Sequence, residues 1–523
     1  MSRPNILFIT TDQQRYDTIN AAGYPHMITP NLDRLCEEGC LFTNAYSPNP
    51  VCLPARHNIL TGLSARHHTF DDNYFDDSHQ IPHHLPTFAQ CLSDSGYDTI
   101  AIGKMHFQPY RRHNGFHRLY LMDEIPRFRE DDDYALYLKE NGYAHLQSIH
   151  GVRHLLYMQP QQSLVSEEHH GSTWVADKTI EYLQTKSINK PFMIWAGFIA
   201  PHPPFDVPAS YANLYKDKQL PEPSISKTVL STLAQENMNI ANYPNKETLM
   251  RARELYYSAI SFVDYNVGRI LQQLEEMGEL DNTFIVFTSD HGEMLGDLST
   301  YQKFLPYDAS SKIPMIMRYP KKLKPKSSFT DFVDLNDIFP TFMDIAGLQM
   351  PTHIDYPGAS VLSNKKDRGI QYIEHQRNSR RWISVRNHQY KYNYYYGGGK
   401  EELFDMISDP NETENLVITK PTLADTLLKP LKEKALEMEK RYGLMDMVEN
   451  NSFKQFDDFD IQFYRECNPP FFPLSLNNEE EKNFLWSLEK ELLKAIKNEP
   501  IVNIDLLDQT YYSNILDLNK LKK

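Results

Sequence analysis

The stretch NILFITTDQQ, Asn5 to Gln14, is an apolar run that stops abruptly in polar residues. Three more segments share its character: YDTIAIG (Tyr97–Gly103), FMIWAGFIA (Phe192–Ala200) and TFIVFTSD (Thr283–Asp290). All are rich in Ile, Val and Phe and show little polar alternation, as buried strands do when both faces of a sheet are covered. Helix-length segments lie between them. In ITPNLDRLCEEG, Thr29 is placed to cap a helix, Pro30 takes its first position and Gly39 stops it. LPTFAQCLSDSG ends the same way at Gly96. KETLMRARELYYSAISFVDYNVGRILQQLEEMG carries apolar residues three and four apart as far as Gly278. Strands alternating with helices give an α/β fold with a layered sheet.

After about residue 370 the pattern changes. RRWISVRNHQYKYNYYYGGGKEELFDM reads as short antiparallel strands around a glycine-rich turn, followed by a helix from about Thr422 to Tyr442. The expected division is a catalytic α/β domain over residues 1–370 and a smaller C-terminal α+β domain over 371–523. The latter ends in an extended tail from about 445 that carries a further helix near Glu479–Lys497.

A chain of 523 residues, 41% hydrophobic, is long enough for one large domain plus a smaller one. The net charge of −15 argues against a nucleic-acid binder or a protein held on anionic membranes. An anionic substrate would then need a local basic cluster. The five cysteines (Cys36, Cys40, Cys52, Cys91, Cys467) form no disulfide or zinc pattern. No apolar run approaches the roughly 18 residues of a membrane span. The residues before the first strand lack a secretory signal, so the expected location is cytoplasmic, or periplasmic should a leader precede this sequence.

Polar residues gather where the strands end, which is where open α/β sheets bind ligands. Asp12 stands at the tip of the first run, and Asp290 and His291 stand at the tip of another. YDTIAIG opens into Lys104 and His106, and FMIWAGFIA into His202. Each alone has an ordinary reading as a turn, cap or surface residue. Their concurrence points to a site for metal binding or proton transfer. In NPVCLPARHNILTG (Asn49–Gly62), Cys52 is open to three readings from the residues alone: buried filler, thiol nucleophile, or precursor of another group.

CLPARHNILTG resembles the signature of the type I sulfatases of the alkaline phosphatase superfamily, with Cys52, Pro54, Arg56, Leu60, Thr61 and Gly62 as its elements. GKMHF, PHPPF and DHGEMLGDLSTYQKF, the last ending in Lys303 and Phe304, resemble further blocks of that family in the same order. ELFDMISDPNETENL (Glu402–Leu416) is similar to its C-terminal domain. The resemblance runs from Asn5 to about Pro340 and leaves the tail uncovered.

That resemblance implies an alkaline-phosphatase-like fold, a mostly parallel sheet flanked by helices, and a sulfatase that converts a sulfate ester to alcohol and sulfate. It implies that a maturation enzyme oxidises Cys52 to formylglycine. Elementary chemistry agrees: a free thiol has a pKa of about 8.5, and soft sulfur suits a hard cation poorly. A hydrated aldehyde offers two hydroxyls, one to attack and one to expel the sulfated intermediate. Asp12, Cys52, Asp290 and His291 would hold one divalent cation. Arg56 would steady the transferring group with its fork of donors. Lys104 and Lys303 would neutralise sulfate oxygens, each such donor being worth roughly 3–4 kcal/mol of barrier. His106 would be the base that releases sulfate, and His202, with Lys303, the acid at the leaving oxygen. Asn73 would contact the anion.

The family's common paired aspartates and Asp-Asn are here Asp12-Gln13 and Asp290-His291, and position 55 is alanine in place of the commonest serine. The pattern is similar to a subgroup of choline sulfatases and phosphonate monoester hydrolases. Ca²⁺ is the family's first expectation; Mn²⁺ or Mg²⁺ stays open because imidazole is not a preferred calcium ligand. The alternative function is a phosphonate monoester or phosphodiester hydrolase using the same nucleophile. A binding protein that never receives the aldehyde is a third reading. The organic half of the substrate, a saccharide or another small polar alcohol, would meet loops and the long insertion from Arg111 to His170. The tail leaves room for a homo-oligomer. Carboxylates from both ends of the main sheet are expected to meet residue 52.

Overall fold

A computed structural model describes residues 3–461, apart from 75–77, 125, 127–128, 145, 147–148, 152–159, 188–189, 239–244 and 364–367. The expected helix near Glu479–Lys497, most of the tail and Cys467 lie outside the described residues.

The four apolar runs become neighbouring strands of an eight-stranded sheet. Its order is Ser327–Phe329, Cys40–Phe42, Met315–Arg318, Thr283–Ser289, Asn5–Thr11, Phe192–Gly197, Asp98–Gly103 and Arg118–Leu121. Met315–Arg318 runs against its two neighbours; the other pairings are parallel. Strand alternation divides the core. Ile6 and Phe8 join a cluster with Trp195 and Phe342, while Leu7 and Ile9 face the other way onto Val263, Val267 and Ile270 of the long helix Lys246–Glu276. Covering both faces explains why the first strand is apolar throughout. Among the described residues no helix is long and apolar enough to cross a membrane.

The helix Pro30–Glu38 begins with proline as expected, but Thr29 does not cap it. The Thr29 hydroxyl accepts from the Asn20 amide and donates to Asp33. Asp264 of the long helix does the capping instead, accepting from the Asn31 amide at 3.1 Å and the Leu32 amide at 2.7 Å. A cap supplied 233 residues away in sequence cannot be read from local spacing.

The C-terminal domain has a four-stranded antiparallel sheet, Gln371–His375, Trp382–Arg386, Tyr390–Tyr395 and Lys400–Asp405, backed by the helix Pro421–Tyr442. Its first strand braces the segment that precedes residue 52: the Glu374 amide donates to the Pro48 carbonyl at 2.9 Å, and His375 Nδ1 lies 3.1 Å from Asn49 Oδ1.

Losing the Asp264 carboxylate removes the acceptor for two helix-end amides. Asp264→Ala is therefore expected to cost about 1–2 kcal/mol. Calorimetry should show a lower melting temperature, with Asp264→Asn recovering part of the loss; an unchanged melting temperature would contradict the cap assignment.

Candidate active site

Asp12 and Asp290 do not come from opposite ends of the sheet. The strands that deliver them are adjacent, with Thr11 paired to Ser289, so both carboxylates leave the same mid-sheet edge. Gly103 and Gly197 are likewise in register on the next strands. A Cβ on Gly103 would lie 2.0 Å from the Gly197 carbonyl oxygen. Only glycine permits that approach, and it lets the Lys104 amide donate to the same carbonyl at 2.8 Å, fixing where Lys104 starts.

Cys52 opens the helix Cys52–Thr61, all ten residues of which are buried. The spacing of the signature now has physical reasons. Pro54 lies in the first turn, where a backbone N–H has no partner to lose. Arg56 is one turn on from Cys52, hence on the same face. The Thr61 hydroxyl donates to the His57 carbonyl at 2.6 Å, and Gly62 ends the helix with a φ of 68°. Residue 52 therefore sits at the positive end of a buried helix, which favours negative charge there.

Around Cys52 Sγ lie Lys303 Nζ at 2.8 Å, His291 Nε2 at 3.2 Å and Asp12 Oδ1 at 3.7 Å. An oxygen in place of this sulfur would have the same neighbours. His291 Nε2 is also 3.5 Å from Asp12 Oδ1 and 3.6 Å from Asp290 Oδ1. His291 Nδ1 lies 2.9 Å from the Gly292 carbonyl, a contact that needs its proton and so turns the lone pair of Nε2 toward the carboxylates. One donor atom from each of Asp12, Cys52, Asp290 and His291 falls within 4.8 Å of the others, all buried. This compact set of oxygens and one neutral imidazole fits a divalent cation; the soft thiol is its one misfit, and conversion to an oxygen group removes it.

Two of the cationic side chains, Arg56 and Lys104, are paired with acids. Arg56 Nε donates to Asp290 Oδ2 at 2.9 Å and Arg56 Nη1 to the Lys104 carbonyl at 2.5 Å. Lys104 Nζ contacts Asp12 Oδ2 and lies 2.9 Å from Glu124 Oε2. Lys303 Nζ donates to Gln13 Oε1 at 3.0 Å and stands 3.2 Å from His202 Nε2. Arg56 Nη2 is buried with no hydrogen-bond partner among the described residues, a donor left over for an anion. A His106 ring nitrogen, Cys52 Sγ and a Glu124 oxygen also lie within 4.8 Å of one another, and His106 holds a left-handed φ of 55°. Asn73 is at the helix start as well, its Oδ1 accepting the Leu53 amide at 3.0 Å. The structure thus brings together every residue singled out in the sequence as a site candidate.

Burial would raise the Asp12 carboxyl, yet Lys104, with His202 and Lys303, holds it far below the usual carboxylate range. Burial, with Asp12 beside it, pushes the Cys52 thiol up to about 12. Burial lowers His106 well below its ordinary value, and Lys104 lowers it further. His202 is lowered by burial against the pull of Glu124 and Asp12. A thiol that stays protonated near neutrality is a poor nucleophile.

Glu124 was missed in the sequence. It follows the edge strand Arg118–Leu121 by three residues, so the strand-end rule applied to RLYL would have found it. RLYL is short and half-exposed, and did not read as a buried strand.

Residues 4–348 match the Sulfatase family, and residues 296–441 match the family described as N-sulphoglucosamine sulphohydrolase, C-terminal. An arylsulfatase of Clostridium perfringens is 31% identical over 452 residues, covering 79% of this chain and 90% of that one. An N-acetylglucosamine-6-O-sulfatase of Bacteroides thetaiotaomicron is 27% identical over 537 residues, covering 88% of each. In fold, the phosphonate monoester hydrolase of Silicibacter pomeroyi superposes with a TM-score of 0.72 at 22% identity, covering 88% of this chain and 100% of that one. The layered sheet, its appended antiparallel sheet and the buried charged site are those of an alkaline-phosphatase-like hydrolase. More narrowly, the chain belongs to the sulfatase family, enzymes that hydrolyse sulfate esters.

Arg56, Lys104 and Lys303 are balanced in formal charge by Asp12, Asp290 and Glu124, so the site gains net positive charge only when a divalent cation joins it. The convergence of cations expected from sequence does not by itself offset the chain's acidity. Opposite unit charges about 4 Å apart are worth roughly 4 kcal/mol at an effective dielectric constant of about 20. Calorimetric titration with inorganic sulfate should therefore show binding at least about tenfold weaker after chelation, and equal affinity with and without cation would contradict this charge balance.

Proposed function

We propose that this chain hydrolyses a sulfate ester through a formylglycine made from Cys52. The observation that carries the reading is the placement of residue 52: at the positive end of a buried helix, against Asp12, His291 and Lys303, with a thiol too weakly acidic to act as it stands. A cation held by Asp12, Asp290, His291 and the oxygen-bearing residue 52 would withdraw charge from the sulfate group and acidify the attacking hydroxyl.

The chain's own groups do the rest. Arg56 Nη2, Lys104 and Lys303 hold the sulfate oxygens, with the Asn73 amide as a further contact. One hydroxyl of the hydrated residue 52, its proton lost to solvent, forms a bond to sulfur. The ester S–O bond breaks, and its electron pair goes to the leaving oxygen, which takes a proton from His202 Nε2. His106, kept neutral by burial and by Lys104, then removes the proton of the second hydroxyl. The C–O bond to sulfate breaks, the aldehyde returns and water rehydrates it.

The named activities of the relatives, on aryl sulfates and on N-acetylglucosamine 6-O-sulfate, support an aryl or saccharide sulfate as substrate. Lys104 and His106 stand in GKMHF, a block that resembles the sulfatases, which supports sulfate over phosphonate esters.

Protein matured by a formylglycine-generating enzyme should give a residue-52 peptide lighter by the thiol-to-aldehyde difference and should turn over an aryl sulfate. Cys52→Ala is expected to lose at least about 10³-fold in kcat. An unmodified thiol in fully active protein would refute the mechanism, and strong preference for a phenyl phosphonate ester would refute the substrate class.

A further inference from the structure

Glu124 has no place in the steps above, although its side chain is almost wholly buried between two groups that do. Its Oε2 lies 2.9 Å from Lys104 Nζ and 2.9 Å from His202 Nε2. The other His202 nitrogen, Nδ1, lies 2.7 Å from the Pro203 carbonyl, a contact that requires a proton on Nδ1. Nε2 is left with two neighbours of opposite character: the Glu124 carboxylate, and Lys303 Nζ at 3.2 Å. Neutral His202 presents a lone pair there and can only accept from Lys303. Protonated His202 has no lone pair left at Nε2 and can only form an ion pair with Glu124. No single protonation state satisfies both contacts, so the two neighbours mark the two states of one proton.

We propose that Glu124 is the positioning residue that favours the proton-bearing form of His202, so that His202 delivers the Nε2 proton to the leaving oxygen while Lys303 is freed to bind the sulfate. Glu124 touches no reacting atom; it acts through the ring. Once the proton passes to the ester oxygen as the S–O bond breaks, the His202 lone pair returns to Lys303. Asp12 also faces His202 electrostatically and favours its charged form. Glu124 is the carboxylate in ion-pair contact with Nε2. The contact with Lys104 gives Glu124 a second effect, on an ammonium directed at the sulfate, and that effect does not depend on which alcohol departs. The inference rests on the sulfatase reading, with His202 as the acid.

The separating readout is the leaving group. A proton donor matters little for a good leaving group and contributes about 10²–10⁴-fold for a poor one. Matured, cation-loaded Glu124→Gln would be assayed on substituted phenyl sulfates, from 4-nitrophenyl to 4-methoxyphenyl. Its loss in kcat/KM relative to wild type should grow from less than about threefold to more than about tenfold along the series. Glu124→Asp should recover part of the loss on the poor leaving groups. In a His202→Asn background, Glu124→Gln should add no further dependence on the leaving group. Bound-cation content and melting temperature show whether each variant is intact.

A uniform loss across the series would overturn the proposal and leave Glu124 as a partner of Lys104 alone. No loss would overturn it too, as would full leaving-group dependence of Glu124→Gln in the His202→Asn background. Failure of the sulfatase reading looks different: wild-type protein would turn over no phenyl sulfate while cleaving phenyl phosphonate esters. The same substituted series, built as phosphonates, would then carry the comparison.

Discussion

The structure depends on burying Asp12 and Asp290 side by side, out of contact with water, at the ends of two adjacent strands. Carboxylates in that position cost several kcal/mol each unless positive partners meet them. Lys104 answers Asp12, and Arg56 answers Asp290. The partners arrive by different routes: one from the end of the strand Asp98–Gly103, two places along the sheet from Asn5–Thr11, and one from the first turns of the signature helix. The sheet register, the Gly103–Gly197 contact and the wholly buried helix all serve to bring them to one place. A strained His106 backbone beside this cluster fits a site held in shape by its surroundings.

The C-terminal sheet adds to this restraint. Its first strand holds Pro48 and Asn49, just before Cys52, and Trp382 Nε1 donates to the Phe304 carbonyl at 2.8 Å, just after Lys303. The segments bearing residue 52 and its nearest ammonium are thus clamped from outside the catalytic sheet. An antiparallel sheet with one face free to pack against a neighbouring domain suits that task.

Much of this was legible in the sequence because the informative features are local. The strands Asn5–Thr11 and Thr283–Ser289 announce themselves by unbroken apolarity, and the polar residues after them by position. The signature motif is legible because its proline, arginine and glycine each answer a helix-geometry demand within ten residues. What stayed hidden is long-range. The capping of Pro30–Glu38 by Asp264, the adjacency of the two carboxylate-bearing strands and the tie from Glu124 to His202 depend on topology rather than spacing. The pairing of Arg56 and Lys104 with acids belongs to the same class, since charge balance appears only once the chain has folded.

The most direct measurement is a crystal structure of matured protein soaked with a divalent cation and sulfate, with anomalous scattering used to locate the metal. A single metal peak bound by Asp12, Asp290, His291 and an oxygen of residue 52 is the expected result. A metal bound elsewhere, or a thiol persisting at residue 52 in active crystals, would contradict the account.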